Sequence, residues 1–191
     1  MLRKEGKVIN EILLVTSNEN KYKEMSEIAK DYGIKLTWLN LPKPEIQADT
    51  LEEIVRYAAI TLFQLIRKPL IVEDSGLFIN ALNGFPGPYT NYVRRKIGLE
   101  GVLKLLEGVS DRSAYFKTVL CYVDERETLL FEGIVTGRIS NEIRGTRGFG
   151  FDPIFIPDGE MRTFAEMSVE EKNKYSHRSK AFKSFLEYYT R

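Results

Sequence analysis

Two long strand candidates, Ser113–Val123 and Thr128–Ile139, are neighbours in the chain, and this pair does most to limit the folds open to it. Long strands so close in the chain can pair antiparallel. The first run is apolar on both of its alternating faces, so it belongs in the middle of a sheet. Shorter apolar runs at Ile12–Val15 and Leu70–Val72, and the alternation of Ile34, Leu36 and Trp38, read as further strands. Helical spacing appears between them. One face carries Tyr22, Met25, Ile28, Ala29 and Tyr32. A second, opened by the capping-box pattern Thr50-Leu51-Glu52-Glu53 and stopped by Pro69, carries Leu51, Ile54, Val55, Ala58, Ala59, Leu62, Leu65 and Ile66. Asn91–Glu107 reads as a third helix, and Glu170–Tyr189 is read as mainly helical, with Ala181, Phe182, Phe185, Leu186 and Tyr189 as its buried stripe. Helices interleaved with strands, plus an antiparallel pair, predict an α/β fold with a mixed sheet.

Composition narrows the chemistry. A net charge of +1 over 191 residues argues against a general nucleic-acid partner, so any positive site is local. One cysteine and one histidine permit neither an internal disulfide nor a thiolate–imidazole zinc site. A metal would be held by oxygen ligands, as Mg²⁺ or Mn²⁺ is. Charges interrupt every apolar run, and no signal-like apolar segment follows the basic opening Met1–Lys7. The expectation is a cytoplasmic protein with no membrane partner, forming one domain over residues 1–191.

The polar residues gather in islands placed at the expected strand ends, where open α/β sheets collect ligands. Thr16, Ser17, Asn18 and Lys21 lie between a strand and a helix, as an anion loop or as a plain helix cap. Glu73-Asp74-Ser75-Gly76 brings two adjacent carboxylates. Neighbours on an extended backbone point to opposite faces, so only one meets a metal directly, and Asp74 is the choice. Glu45, in the proline-flanked stretch Pro42–Gln47, is a candidate second ligand or an ordinary loop residue. Asn83–Tyr89, rich in Gly and Pro, can wall a pocket or simply connect elements. Phe149 and Phe151 alternate with Gly148 and Gly150 and precede Asp152. Ring faces exposed in this way suit a flat base, although a core role is the ordinary use of Phe. Lys172, His177 and Arg178 add cations and donors near a helix start. An anion loop, metal-binding carboxylates, stacking rings and a basic cluster together suit a Mg²⁺–nucleoside triphosphate.

With these motifs in one order from Val15 to Leu186, the chain resembles the inosine triphosphate pyrophosphatase family, the noncanonical purine nucleoside triphosphate pyrophosphatases. The resemblance is carried by Thr16-Ser17-Asn18 with Lys21 and Glu24, Pro44-Glu45-Ile46-Gln47, Glu73–Leu77 and Ala81–Gly87. It continues through Gly148–Phe155, Phe164–Met167, and Glu171-Lys172-Asn173 to Ser176-His177-Arg178. It implies an elongated mixed β-sheet flanked by helices, with two lobes around a central nucleotide cleft, and a homodimer. It also implies cleavage of XTP, ITP or dITP between the α- and β-phosphates. In that family pattern Thr16 to Lys21 and Lys172 hold phosphates. Glu45 and Asp74 serve Mg²⁺, with Mn²⁺ as a substitute, and Asp74 is the proton acceptor. Ser75, Phe149, Gly150, Phe151, Asp152, His177 and Arg178 bind substrate, with Arg178 expected to read the purine 6-carbonyl. The chain departs from the pattern at Ala58 and Asn91, where basic residues are usual, and Arg56, Arg94 and Arg95 are the candidate replacements.

Overall fold

The structure is a computed structural model that describes residues 11–191, so the basic opening segment lies outside the described residues. In chain order the elements are β1 (Glu11–Val15), α1 (Glu19–Asp31), β2 (Lys35–Leu39), α2 (Leu51–Ile66), β3 (Leu70–Ile79) and β4 (Pro86–Gly87). They continue with α3 (Thr90–Lys96), α4 (Gly98–Leu105), β5 (Ser113–Val123), β6 (Thr128–Ile139), β7 (Phe155–Pro157), α5 (Val169–Asn173) and α6 (His177–Tyr189). Among the described residues seven strands form one sheet in the order β2-β1-β3-β5-β6-β7, with β4 on β3. β1 pairs parallel with β2 and β3, and the remaining pairs are antiparallel, so the sheet is mixed. The two long strand candidates occur with the expected bounds, and β5 lies between β3 and β6 as its doubly apolar pattern requires.

Three apolar clusters hold the layers together. α1 and α6 pack on one region of the sheet through Met25, Ile28, Phe182 and Phe185. α2 covers another through Val55, Ala58, Ala59 and Leu62. The third cluster joins α3 and α4 to Phe116, Phe151, Phe155 and Phe164. Full burial of one such aliphatic or aromatic side chain contributes about 1.5–3 kcal/mol. Ala58, where the family pattern was expected to place a basic residue, is fully buried, whereas Leu65, expected on the core face, is exposed in the last turn of α2.

Four local features differ from the sequence expectation. The acidic motif at Glu73–Gly76 is not a strand-end turn. β3 runs through it to Ile79, because Leu77 and Ile79 resume the apolar pattern and pair with β5. The single helix expected over Asn91–Glu107 is two, broken at Gly98, whose φ of +71° suits glycine and interrupts the helical path. The segment from Glu170 breaks as well: Ser176 takes an extended backbone, accepts the Ser179 N–H at 3.2 Å and opens α6 at His177. At α2 the Thr50 side chain accepts the Glu53 N–H at 3.3 Å, but the Glu53 carboxylate answers the Thr50 hydroxyl at 2.7 Å, so only half of the capping box forms.

Candidate active site

A cleft of about 600 Å³ opens beside β3, a size suited to a small organic ligand. It gathers every candidate residue into one place: Thr16, Ser17, Asn18 and Lys21 from the β1–α1 turn; Glu45 from the loop before α2; and Asp74 and Ser75 from β3. Phe149, Gly150, Phe151 and Asp152 come from the glycine-rich loop, Lys172 from α5, and His177 and Arg178 from the first turn of α6. Asn91, Arg94 and Arg95 also line it, whereas Arg56 and Ala58 do not. Arg94 donates from Nε to the Gly150 carbonyl at 3.0 Å, which ties α3 to the glycine-rich loop.

The loop at the start of α1 is held by its own cap. Asn18 Oδ1 accepts the N–H groups of Asn20 at 3.0 Å and Lys21 at 3.4 Å, so the helix end spends two opening donors internally. The positive charge this loop brings to the cleft rests on Lys21. Its ammonium lies 2.7 Å from Glu73 Oε1 and 3.7 Å from Asp74 Oδ1.

Behind the cleft is a buried set of charges whose pairing the sequence motifs, Glu24 among them, do not show. Glu24 is the hub: Lys172 Nζ donates to Oε1 at 2.7 Å and Arg178 Nη1 to Oε2 at 2.5 Å. Lys172 also donates to Asp152 Oδ2 at 2.6 Å, and Arg178 Nη2 donates to Ser75 Oγ at 3.0 Å. Ser75 Oγ donates to Glu73 Oε2 at 3.0 Å and meets Thr118 Oγ1 at 2.6 Å. Burial pushes the Glu24 carboxyl up, but Lys172 and Arg178 outweigh it and hold it below the usual carboxylate range. Burial acts on Glu73 in the same way, and Lys21 and Arg178 bring it down to about 2. For Asp152 burial wins over Lys172, and its carboxyl is raised. The available signal was Glu24 itself, one residue before Met25 and four before Ile28 on the apolar face of α1. A carboxylate there demands a buried partner.

Two expected site residues have surroundings that their expected roles do not suggest. Lys172 was placed with the phosphate-holding residues, but its ammonium ends on two carboxylates, 4.8 Å from the centre of the Phe149 ring. Phe151 was paired with Phe149 as a stacking ring, but it is 1% exposed and packs in the core cluster with Ile154 and Phe155. Phe149 remains the half-buried ring, also 5.4 Å from the Arg178 guanidinium. Gly148 makes this loop possible: its φ is +71°, and a Cβ would stand 2.2 Å from Asp152 Oδ2, the atom that accepts the Phe149 N–H at 2.9 Å.

His177 stacks on Phe116 at 4.7 Å between ring centres and is buried. Burial, then the Arg178 and Lys172 charges, push its pKa well below the ordinary imidazole value, so it is neutral at pH 7. Its Nδ1 is buried without a hydrogen-bond partner.

No group of three or more His, Cys, Asp or Glu side chains able to hold a metal occurs among the described residues. Two carboxylates nevertheless converge on one cation position, marked by the Lys43 ammonium 2.8 Å from Asp74 Oδ2 and 3.3 Å from Glu45 Oε1. An all-oxygen pair of this kind fits a hard dication such as Mg²⁺ or Mn²⁺ whose other ligands are phosphate oxygens and water. Burial lowers the Lys43 pKa, but Asp74, Glu45 and Glu73 outweigh it and hold the group above its ordinary value.

A sequence model described as the Ham1 family matches residues 12–188. The chain belongs to the Ham1 family. A dITP/XTP pyrophosphatase of Saccharolobus solfataricus is 61% identical over 92% of this chain and 91% of that protein. One from Pyrococcus horikoshii is 51% identical over 93% and 95%. The solved structure of a HAM1 protein from Coxiella burnetii superposes with a TM-score of 0.83 at 34% identity, covering 94% of this chain and 98% of that one.

Proposed function

We propose that this protein hydrolyses noncanonical purine nucleoside triphosphates (XTP, dITP and ITP) to the monophosphate and pyrophosphate. The observation that carries the reading is the convergence on one cleft of a half-buried aromatic ring, a neutral histidine with a free nitrogen, an arginine, and a carboxylate pair around a cation position. The family membership and the dITP/XTP pyrophosphatase names of its relatives support it.

In this reading Phe149 stacks on the purine, an interaction worth about 1–3 kcal/mol. Arg178 donates to the 6-carbonyl. An adenine amino group in that place would leave buried donors facing each other, which disfavours ATP. Glu24 and Ser75 hold the guanidinium for this task. At the other side Asp74 accepts the proton of a water attacking the α-phosphorus. The new P–O bond forms as the bond to the bridging oxygen breaks, and pyrophosphate leaves with that oxygen and its electron pair. Lys21 and Lys43 offset the charge on the leaving group. Mg²⁺, or Mn²⁺ as a substitute, would be held by Asp74 and Glu45 and, when bound, supplies charge neutralisation along the triphosphate. The reading takes residues 1–191 as one catalytic domain that works as a homodimer in the cytoplasm. Among the described residues no helix is long and apolar enough to cross a membrane.

The deciding experiment is product analysis by anion exchange after incubation with Mg²⁺ and, separately, ITP, XTP, dITP, GTP, ATP and dTTP. Monophosphate plus pyrophosphate from the first three, with little from ATP or GTP, is expected. Turnover mainly of dTTP, or release of inorganic phosphate alone, overturns the assignment. Sedimentation of the purified protein checks the dimer.

A further inference from the structure

Among the described residues, Lys43 is the one cation in the cleft that touches both expected metal ligands. Its ammonium is 2.8 Å from Asp74 and 3.3 Å from Glu45, and its Nζ is buried, with no hydrogen bond of good geometry to either carboxylate. Pro42 and Pro44 flank it and stiffen the backbone that carries it. Lys21, the neighbouring ammonium, is closer to Glu73, at 2.7 Å, than to Asp74, at 3.7 Å. The charge between Asp74 and Glu45 is thus set by Lys43. A dication bridging the same carboxylates needs the lone pairs that this ammonium faces, and it would meet a like charge at short range.

The geometry points to Lys43 as the residue that makes metal binding depend on nucleotide. In the free protein its ammonium stands in for the metal between Asp74 and Glu45. A nucleoside triphosphate offers that ammonium phosphate oxygens instead and so releases both carboxylates to a dication. The inference rests on the pyrophosphatase reading and adds an order of events: the free protein holds dications weakly, and metal and triphosphate enter together. Because such coupling is reciprocal, metal tightens nucleotide by the same factor.

Mn²⁺ binding to the purified protein, followed by electron paramagnetic resonance, tests this without turnover. The titration is run with and without α,β-methylene ITP, which cannot be cleaved at the scissile position. For the unmodified protein the analogue is expected to tighten Mn²⁺ by about tenfold or more, within the usual 5–150-fold range of coupling. Lys43→Met, which keeps the stem and removes the charge, should bind Mn²⁺ alone about tenfold tighter and show a gain from the analogue about tenfold smaller, the remainder being what the phosphate oxygens supply as ligands. Lys43→Arg should restore the coupling. Adding Asp74→Asn to Lys43→Met should abolish the gain. Unchanged Mn²⁺ affinity in Lys43→Met, or a gain that survives loss of Asp74, overturns the inference. ITP hydrolysis by the unmodified protein is measured alongside. If ITP is cleaved and Lys43→Met leaves Mn²⁺ binding unmoved, only the Lys43 inference falls. If ITP is not cleaved, the enzymatic reading falls first.

Discussion

The cleft holds two sets of charges in opposite ways. The Glu24, Lys172 and Arg178 side chains are only 3–4% exposed and bonded to each other across α1, α5 and α6. Around the cation position, Glu45 is 62% exposed, Asp74 17% and Lys43 13%. Burial makes the first set a fixture: an unpaired ion there has no water to turn to, so each partner holds the others in place. The second set is more solvated, and on the proposed reading water, metal or phosphate can replace any one contact. A site that must recognise a rigid base and also admit a metal-bound polyphosphate needs both kinds of charge.

The most disruptive change to this contrast is Glu24→Gln. It takes from Lys172 one of its two carboxylates and from Arg178 its nearest one, and should cost about 3–5 kcal/mol of stability in denaturant unfolding. A loss under 1 kcal/mol would mean that the buried set is not a fixture. Asp74→Asn should leave the fold intact and lower kcat for ITP by at least about 10²-fold, the scale of general-base catalysis. Near-normal turnover would remove Asp74 from that role.

A third test uses pH. His177 is the chain's only histidine, and its folded-state pKa lies well below the ordinary 6.5. Below pH 6.5 the unfolded chain takes up a proton that the folded chain refuses. Stability is therefore full above that pH and falls as pH drops, by up to about 1.4 kcal/mol per unit. Unfolding free energies from pH 7 to 5 should show this slope, and His177→Gln should flatten it. An equal slope in the variant would mean that other groups carry it. Glu73 acts further down: with its carboxyl held at about 2, its contribution is present above its ordinary 4.5 and is lost as pH falls toward 2. The smallest effect belongs to Glu45→Gln, which should move stability by less than about 0.5 kcal/mol because the side chain is mostly solvated.

Much of the fold was legible from side-chain period. β5 and β6 have strong, unbroken patterns, and both occur with the expected bounds. The failures came where one backbone choice outweighs a pattern: Gly98 splitting a helix, Ser176 opening another, and Leu77 carrying β3 through an acidic motif. The site divides in a similar way. Residue type marked Asp74, Glu45, Phe149 and Arg178, because carboxylates, an aromatic between glycines and a guanidinium carry their chemistry wherever they sit. Only the tertiary structure decided which charge meets which. It bonded Lys172 to Glu24 across 148 positions of chain and Arg178 to the same carboxylate across 154, and it put Phe151 in the core and Lys43 between two acids. Pairing and burial depend on distance through space, and local sequence carries period and residue type but no such distance.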